Sequence, residues 1–394
     1  MTTKLSVDDL PDIWSRLRDG WTRVRIAERY GVSETSVRRF LRRHGGQQIS
    51  ATHPYALNTT PPDDRDVLEA EVRELRKAVQ RSRREEIAEE RVLRAIEDAV
   101  ANTPHDPTPM PQPARKSQQA HHTQAALLSD WHIGEVVDLD QMNGLNQYNY
   151  FIARHRVQEV HRSLLSFKAV RPDLTELQLW FLGDMVSGNI HDELRETNEF
   201  PVAEQAVLTG YLIADFVRAL VPHYPAIRCI GIAGNHARTR KEHASKNVFD
   251  SMDVVAYELA SALAPRSVTW EIPRSAMHVA EIADRKILLW HGDGVRSSMP
   301  GVPWGGVMRR WNELRKSYGE RGIHLDGLAV GHFHQANAVS GPIWMNGSLI
   351  GPNEYSLKNY GSGERPTQLL LTFDERRRRL TDVSYITPSV GVTS

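Results

Sequence analysis

Five short apolar runs in the later two-thirds of the chain each end in a residue able to bind a metal ion. This recurrence limits the fold more than any other feature. AALLSDWHIG places Asp130 after its run and His132 two residues on. ELQLWFLGDMVSGN leads into Gly183-Asp184, and AIRCIGIAGNHARTR into Gly234-Asn235-His236. KILLWHGDG delivers His291, and GLAVGHFHQ delivers His332 and His334. Short apolar runs bounded by glycine read as buried strands, and the segments between them carry helical periodicity, so the class is α/β. Residues two apart on an extended chain point to the same side, which lets Asp130 and His132 reach one ion together. In open α/β sheets ligands bind beyond the carboxyl ends of the strands. Taken alone, the pair His332 and His334 would decide little, because the chain has 17 histidines and most histidines are surface or satisfied core residues. The repetition at five strand ends decides it.

In order, Asp-x-His, Gly-Asp, Gly-Asn-His, His and Gly-His-x-His resemble the signature of the calcineurin-like metallophosphoesterase superfamily, over residues 124–387. The resemblance implies a four-layer α/β/β/α sandwich, with two mixed sheets face to face and the metals at one edge. It also implies a two-metal site. Asp130, His132, Asp184 and His334 would hold one ion; Asp184, Asn235, His291 and His332 would hold the other, with Asp184 bridging. Carboxylate, imidazole and amide donors suit Mn²⁺, with Fe or Zn²⁺ as alternatives. Two ions about 4 Å apart can bind phosphate oxygens and activate a water as nucleophile. His236 matches the family histidine that stabilises the transition state or protonates the leaving oxygen. Two departures stand out. The family often has an Asp shortly after Gly-Asp and an acidic residue after Gly-Asn-His, whereas this chain reads GDMVSGN and GNHAR. His236 therefore lacks the usual carboxylate to orient it, and Asp192 and Asp293 are the candidates for that role. Arg238 and Arg240 follow on the same loop as candidate phosphate contacts. WMNGSLIGPNEYS and ERPTQLLLTF look like the terminal strands of phage- and bacterium-type members.

Residues 1–48 have a different texture. LPDIWSRLRDG reads as a helix stopped by Gly20. In TRVRIAERYGVSETSVRRFLRRHG, Ile26, Ala27 and Tyr30 form one helical face and Val37, Phe40 and Leu41 another. Gly31 can make the left-handed turn between them, and Ser33 is a natural N-cap for the second segment. Ala27, Gly31 and Val37 are spaced as in bacterial and phage helix-turn-helix domains, which this stretch resembles. The resemblance puts Thr35, Ser36, Arg38, Arg39, Arg42 and Arg43 on the helix face that enters a DNA major groove. Ten basic against six acidic side chains in residues 1–48 give this segment a local charge of +4, whereas the whole chain is neutral at +0. Attraction to nucleic acid, preferentially DNA, would thus be local.

Residues 49–63 lack periodicity and read as a linker. Residues 64–100 read as one long helix. Leu68, Val72, Leu75 and Val79 follow coiled-coil spacing, Glu69–Arg73 and Glu90–Arg94 are favourable pairs, and the seam slips at Ser82. A homodimer through this helix, or a solvated spacer, would follow. Residues 101–123 hold five prolines and read as a hinge, with His105, His121 and His122 exposed. The single cysteine, Cys229, excludes an intramolecular disulfide framework and fits a reducing compartment. No run is long enough to cross a bilayer, and MTTKLSVDDLPD does not read as a signal peptide. The expected place is the cytoplasm, that of the host if the gene is phage-borne. Trp304 and Trp311, among Arg309, Arg310, Arg315 and Lys316, could stack on bases or pack in the core.

The sequence thus points first to a metal-dependent phosphodiesterase acting on nucleic acid, a phage or bacterial nuclease. The alternatives are a phosphomonoesterase or small-nucleotide phosphodiesterase recruited by its N-terminal domain, and a non-catalytic DNA-binding regulator.

Overall fold

The structure is a computed structural model. It describes residues 5–18, 21–44, 94, 122–190, 192–240, 248–295, 302–339, 341–360 and 363–389. The chain divides into two units, Met1–Gln80 and Arg81–Ser394. The expected linker 49–63 and nearly all of the expected helix 64–100 and hinge 101–123 lie outside the described residues.

In the first unit a 3-10 turn, Val7–Asp9, leads into α1 (Leu10–Arg18), α2 (Arg23–Tyr30) and α3 (Glu34–His44). Gly31 adopts φ 61, and its N–H reaches the Ala27 and Glu28 carbonyls, closing α2. The Ser33 hydroxyl accepts from Ser36 N at 3.1 Å and caps α3. Ile13, Ile26, Ala27 and Val37 form the buried centre, with Leu17, Trp21, Tyr30, Phe40 and Leu41 packed around it.

In the second unit a six-stranded sheet has the order β11-β10-β1-β2-β3-β4. Its strands are β1 (His122–Leu128), β2 (Leu174–Phe181), β3 (Ile227–Gly231), β4 (Val268–Glu271), β10 (Gln368–Asp374) and β11 (Arg379–Ile386). Strands β1 to β4 are parallel; β10 runs antiparallel to β1 and β11 to β10. A five-stranded sheet has the order β5-β6-β7-β9-β8, from β5 (Met277–Ile282), β6 (Arg285–Trp290), β7 (Gly327–Val330), β8 (Asn337–Val339) and β9 (Ile343–Met345). Here β6, β7 and β9 are parallel.

Alternation along each strand explains the layering, because successive side chains leave opposite faces. Ala125 and Leu127 of β1, Trp180 of β2 and Leu369, Leu371 and Phe373 of β10 join Ile287, Leu289, Ala329 and Trp344 of the second sheet in one core. Ala126 and Leu128, one residue out of phase, pack with helices α4 (Tyr150–Val170), α6 (Val202–Leu220) and α7 (Met252–Leu263); the short α5 (Asp192–Thr197) precedes α6. On the outer face of the second sheet, Leu288, Trp290, Leu328 and Val330 pack against Val307 and Trp311 of α8 (Trp304–Gly319). Trp311 is therefore a core residue, 2 % exposed, and not a base-stacking surface. Its i,i+4 partner Val307 is equally buried, so the Val307–Trp311 spacing marks an apolar stripe. The last helix is α9 (Glu354–Tyr360).

The strand that opens this unit starts earlier than the composition suggests. His122 and Thr123 pair with Asp374 and Phe373. His122, expected to be exposed, is half-buried with Nδ1 2.6 Å from Asp173.

Candidate metal centre

All five motifs leave parallel strands at their carboxyl ends: Asp130 follows β1, Asp184 follows β2, Asn235 and His236 follow β3, His291 follows β6, and His332 and His334 follow β7. Backbone hydrogen bonds lace these ends together. Asp130 N donates to Gly183 O (3.0 Å), His132 N to Asp184 O (3.1 Å) and Gly331 N to His291 O (3.0 Å). The sheets meet where His332 N donates to the Asp130 carboxylate, at 3.2 and 3.1 Å from its two oxygens.

The donor atoms fall into two groups, Asp130-His132-His334 and Asp184-His291-His332, each with its atoms within 4.8 Å of one another. Asn235 joins the second group, its Oδ1 lying 3.0 Å from His291 Nε2. Asp184 Oδ2 is 2.9 Å from His291 Nε2, and its Oδ1 accepts from His236 N at 2.7 Å. Asp130 Oδ1 is 3.3 Å from His334 Nε2.

Three observations fit these groups to divalent cations. First, Asp130 and Asp184 are 0 % and 1 % exposed, and burying a carboxylate costs several kcal/mol unless it is paired or ligating. Second, His132 Nε2 and His334 Nε2 face each other at 3.1 Å; a cation would satisfy both lone pairs, whereas without one they must share a proton. Third, Asp130 (φ 55), His132 (φ 50), Asp184 (φ 52), His332 (φ 70) and His334 (φ 55) all adopt left-handed backbone conformations. That costs an ordinary L-residue about 1–2 kcal/mol, and such strain gathers at functional sites. The donor set, carboxylate and imidazole without thiolate, could hold divalent metal ions.

Electrostatics follow from this crowding. Burial lowers the His291 pKa, but the Asp184 carboxylate outweighs it and raises the ring to about 10. Burial tends to raise Asp184, but His291 and His236 hold it well below the usual carboxylate range. For His132, burial and then His236 outweigh the nearby carboxylates and push it well down. His332 falls to about 4 through burial and its neighbour His291.

His236 stands beside the first group, its ring 4.7 Å from that of His132 and nearly perpendicular to it, at 87°. Its Nδ1 lies 3.3 Å from the Ser187 carbonyl oxygen. A backbone carbonyl is thus one acceptor within reach of the ring; Asp192 and Asp293 were the sequence candidates for that role. Ser187 is held in turn: its hydroxyl donates to Asn198 Oδ1 at 2.9 Å, and Gly188 N donates to Gln205 Oε1 at 2.9 Å. Arg238 is half-exposed, with Nε donating to the Arg240 carbonyl at 2.9 Å, and Arg240 is exposed. In the first unit Thr35, Ser36, Arg38 and Arg39 are exposed on α3; Arg42 and Arg43 belong to the same helix.

Sequence reasoning missed two residues that surround the ligands. Glu135, 6 % exposed, lies 3.4 Å from His132 Nδ1 and accepts from Asn353 Nδ2 at 2.8 Å. Burial pushes its carboxyl up to about 7, against the Asn353 hydrogen bond. Asp253, fully buried, reaches the loops of both Asp184 and Asn235. Glu135, three residues after His132, was the more detectable of the two.

No protein-family model matches the sequence, and no curated protein matches it either. Several solved structures are similar. A predicted phosphoesterase from Streptococcus pneumoniae TIGR4 is 13 % identical, with 68 % of this chain and 98 % of that chain covered, at a TM-score of 0.27. Vps29 from Entamoeba histolytica, solved with Zn²⁺, is 13 % identical over 67 % of this chain and 99 % of its own, at 0.27. The calcineurin-like phosphoesterase YfkN from Bacillus subtilis is 11 % identical over 68 % of this chain and 91 % of its own, at 0.28. Likenesses at these scores establish neither fold nor family.

Proposed function

We propose that the chain is a metal-dependent phosphoesterase of the calcineurin-like kind, a binuclear phosphodiesterase acting on nucleic acid. The observation that carries this reading is the convergence of two Asp/His donor groups, beside His236, at the ends of parallel strands from two sheets. The stacking of helices, two facing sheets and α8 supports reading the domain as the four-layer sandwich of that superfamily. Divalent cations bound at the two groups would supply Lewis acidity toward phosphate oxygens and an activated water. The protein's own contribution is placement. Asp184 turns Oδ2 to His291 and Oδ1 to the His236 N–H. His236, with Nδ1 near the Ser187 carbonyl, exchanges a proton with the leaving oxygen. Arg238 and Arg240, on the loop that follows, serve as phosphate contacts.

The nucleic-acid part rests on the first unit, read as a helix-turn-helix domain. Its α2 and α3 are joined at Gly31, and Thr35, Ser36, Arg38 and Arg39 are exposed on α3, with Arg42 and Arg43 following on the same helix. The burial of Trp311 removes one of two candidate stacking residues from the second unit. That favours, as a second reading, a small-ester phosphoesterase recruited by the first unit.

The test is cleavage of end-labelled single- and double-stranded DNA by Mn²⁺-loaded protein, with Asp184→Asn as control. Cleavage by the wild type alone supports a nuclease, and cleavage by both rejects the metal mechanism. Turnover of a small diester without DNA cleavage selects the second reading. Neutralising Arg38, Arg39, Arg42 and Arg43 should weaken DNA binding and flatten its salt dependence; an unchanged slope would reject the α3 assignment.

A further inference from the structure

The Asp184 and Asn235 loops touch through their backbones. A Cβ on Gly183 would lie 2.4 Å from Gly234 N, and one on Gly234 would lie 2.2 Å from Asp184 Oδ1. Only glycine fits at either place. A contact this close leaves several N–H groups buried, and each needs an acceptor. One side chain supplies it for both loops. Asp253 Oδ2 accepts from Asp184 N (2.9 Å) and Gly234 N (2.9 Å). Its Oδ1 accepts from Met185 N (3.0 Å) and Val186 N (3.1 Å).

Asp253 sits in the first turn of α7, where an acidic residue ordinarily serves its own helix. Here the capping is done by Ser251, whose hydroxyl accepts from Asp253 N at 3.3 Å, so the Asp253 carboxylate is left for the loops. The start of α7 is also fixed to the far end of the Asn235 loop, where Met252 N donates to Ala237 O at 2.8 Å. The helix therefore gives the carboxylate a rigid base.

We propose that Asp253 is a positioning residue of the metal centre, setting the distance between Asp184 and Asn235 and hence the affinity for the second ion. This rests on the metal-site reading above. A carboxylate can accept all four N–H groups. An asparagine accepts through one oxygen and turns its NH₂ against two of the donors, leaving them buried and unpaired. The loops must then part, carrying Asp184 and Asn235 with them. A glutamate keeps the charge but pushes the acceptor out by one methylene, with the same consequence for spacing.

The experiment is a calorimetric Mn²⁺ titration of the metal-free full-length protein, with bound metal counted by elemental analysis. It compares wild type, Asp253→Asn, Asp253→Glu and Ser251→Ala. The last weakens the cap of the same helix while leaving the Asp253 carboxylate and its four N–H donors in place. The expected result is two ions in wild type and in Ser251→Ala. In both Asp253 variants the second ion should bind on the order of 10-fold more weakly, the usual scale for groups that orient ligands. If Asp253→Asn fails to fold by far-UV circular dichroism, Asp253→Glu carries the comparison. Wild-type affinity in the folded Asp253 variants would overturn the proposal, as would an equal loss in Ser251→Ala, which would reduce it to general destabilisation. Wild-type protein that binds no divalent ion would overturn the metal-site reading itself, and the role of Asp253 with it.

Discussion

His132 and His236 each have a neighbour behind the ring, of different kinds. The Glu135 carboxylate stands 3.4 Å from His132 Nδ1 and is itself fixed by Asn353. Glu135→Gln keeps an acceptor for Asn353 but removes the charge that favours a basic imidazole. Mn²⁺ affinity should fall roughly 10-fold while the fold persists; equal affinity by titration would reject the role. His236 depends on the Ser187 carbonyl, and so on the path of its loop. Gly188 has φ +69, and a Cβ there would lie 2.0 Å from His236 O. Gly188→Ala should therefore displace His236 and lower kcat on a small diester by roughly 100-fold, the lower end for lost general acid–base help. Metal stoichiometry should stay at the wild-type value; unchanged kcat would show that Ser187 does not place the ring. The metal-donor candidates were legible because donor chemistry recurs just past the end of each apolar strand; Asp130 and His132 are both left-handed, so the alternation of an extended chain does not align them. The Ser187 contact was not, because every residue has a carbonyl and only the fold selects one. Asp253 was hidden differently, since Ser-Met-Asp at a helix start reads as ordinary capping.

Among the elements, the small helices of the first unit were the most readable. Gly31 and Ser33 act locally, through a left-handed turn and a cap, and such chemistry needs no knowledge of distant contacts. What the sequence could not show is how α1 is tied to α2. Tyr30 Oη donates to Asp12 Oδ2, and Arg16 Nε donates to the same oxygen at 2.7 Å. The Arg16 hydrogen bond first, then that from Tyr30, lowers the Asp12 pKa below 3.8. Burial first, then Asp12, raises that of Tyr30 from 10.0 to about 12. The signs set the window. Asp12 contributes stability above its unfolded value of 3.8 that disappears as the pH falls through the lower folded value. Tyr30 contributes stability below 10.0 that disappears as the pH rises through about 12. Asp12→Asn should therefore lower the melting midpoint of this unit at pH 7, with the difference from wild type closing in acid. Methyl resonances of Ile13, Ile26 and Val37, followed through the melt, report it. A difference that persists well below the acid window would mean that packing, not the ion pair, was lost.

At the scale of the whole molecule the second unit is two sheets whose donors are interleaved. Asp130, His132, Asp184 and Asn235 follow strands of one sheet, and His291, His332 and His334 follow strands of the other. Each donor group takes residues from both, so a bound cation would cross-link the sheets. Free Mn²⁺ at about 100 times its Kd should stabilise the fold by about 2.7 kcal/mol. Chelation should lower the melting temperature by several degrees, a shift reduced in Asp184→Asn. The facing sheets were implied by the resemblance, but which face of each strand turns inward was not legible, because both faces are equally apolar and only packing distinguishes them. The start of β1 was less legible for a related reason. His122 and Thr123 look like linker, yet they pair with β10, and Thr123 Oγ1 donates to Glu375 Oε1 at 2.6 Å. This bears directly on separating the two units. A fragment starting at His122 keeps every rung of β1, whereas one starting at Gln124 loses two rungs and the Glu375 contact. The longer fragment should hydrolyse a small phosphodiester with the full-length kcat, and the shorter should melt at a lower temperature. If the first unit recruits DNA, the longer fragment should also lose DNA cleavage at moderate salt and regain it at low salt, where the remaining basic side chains suffice. Cleavage by that fragment equal to full length at every salt concentration would assign DNA recognition to the second unit alone.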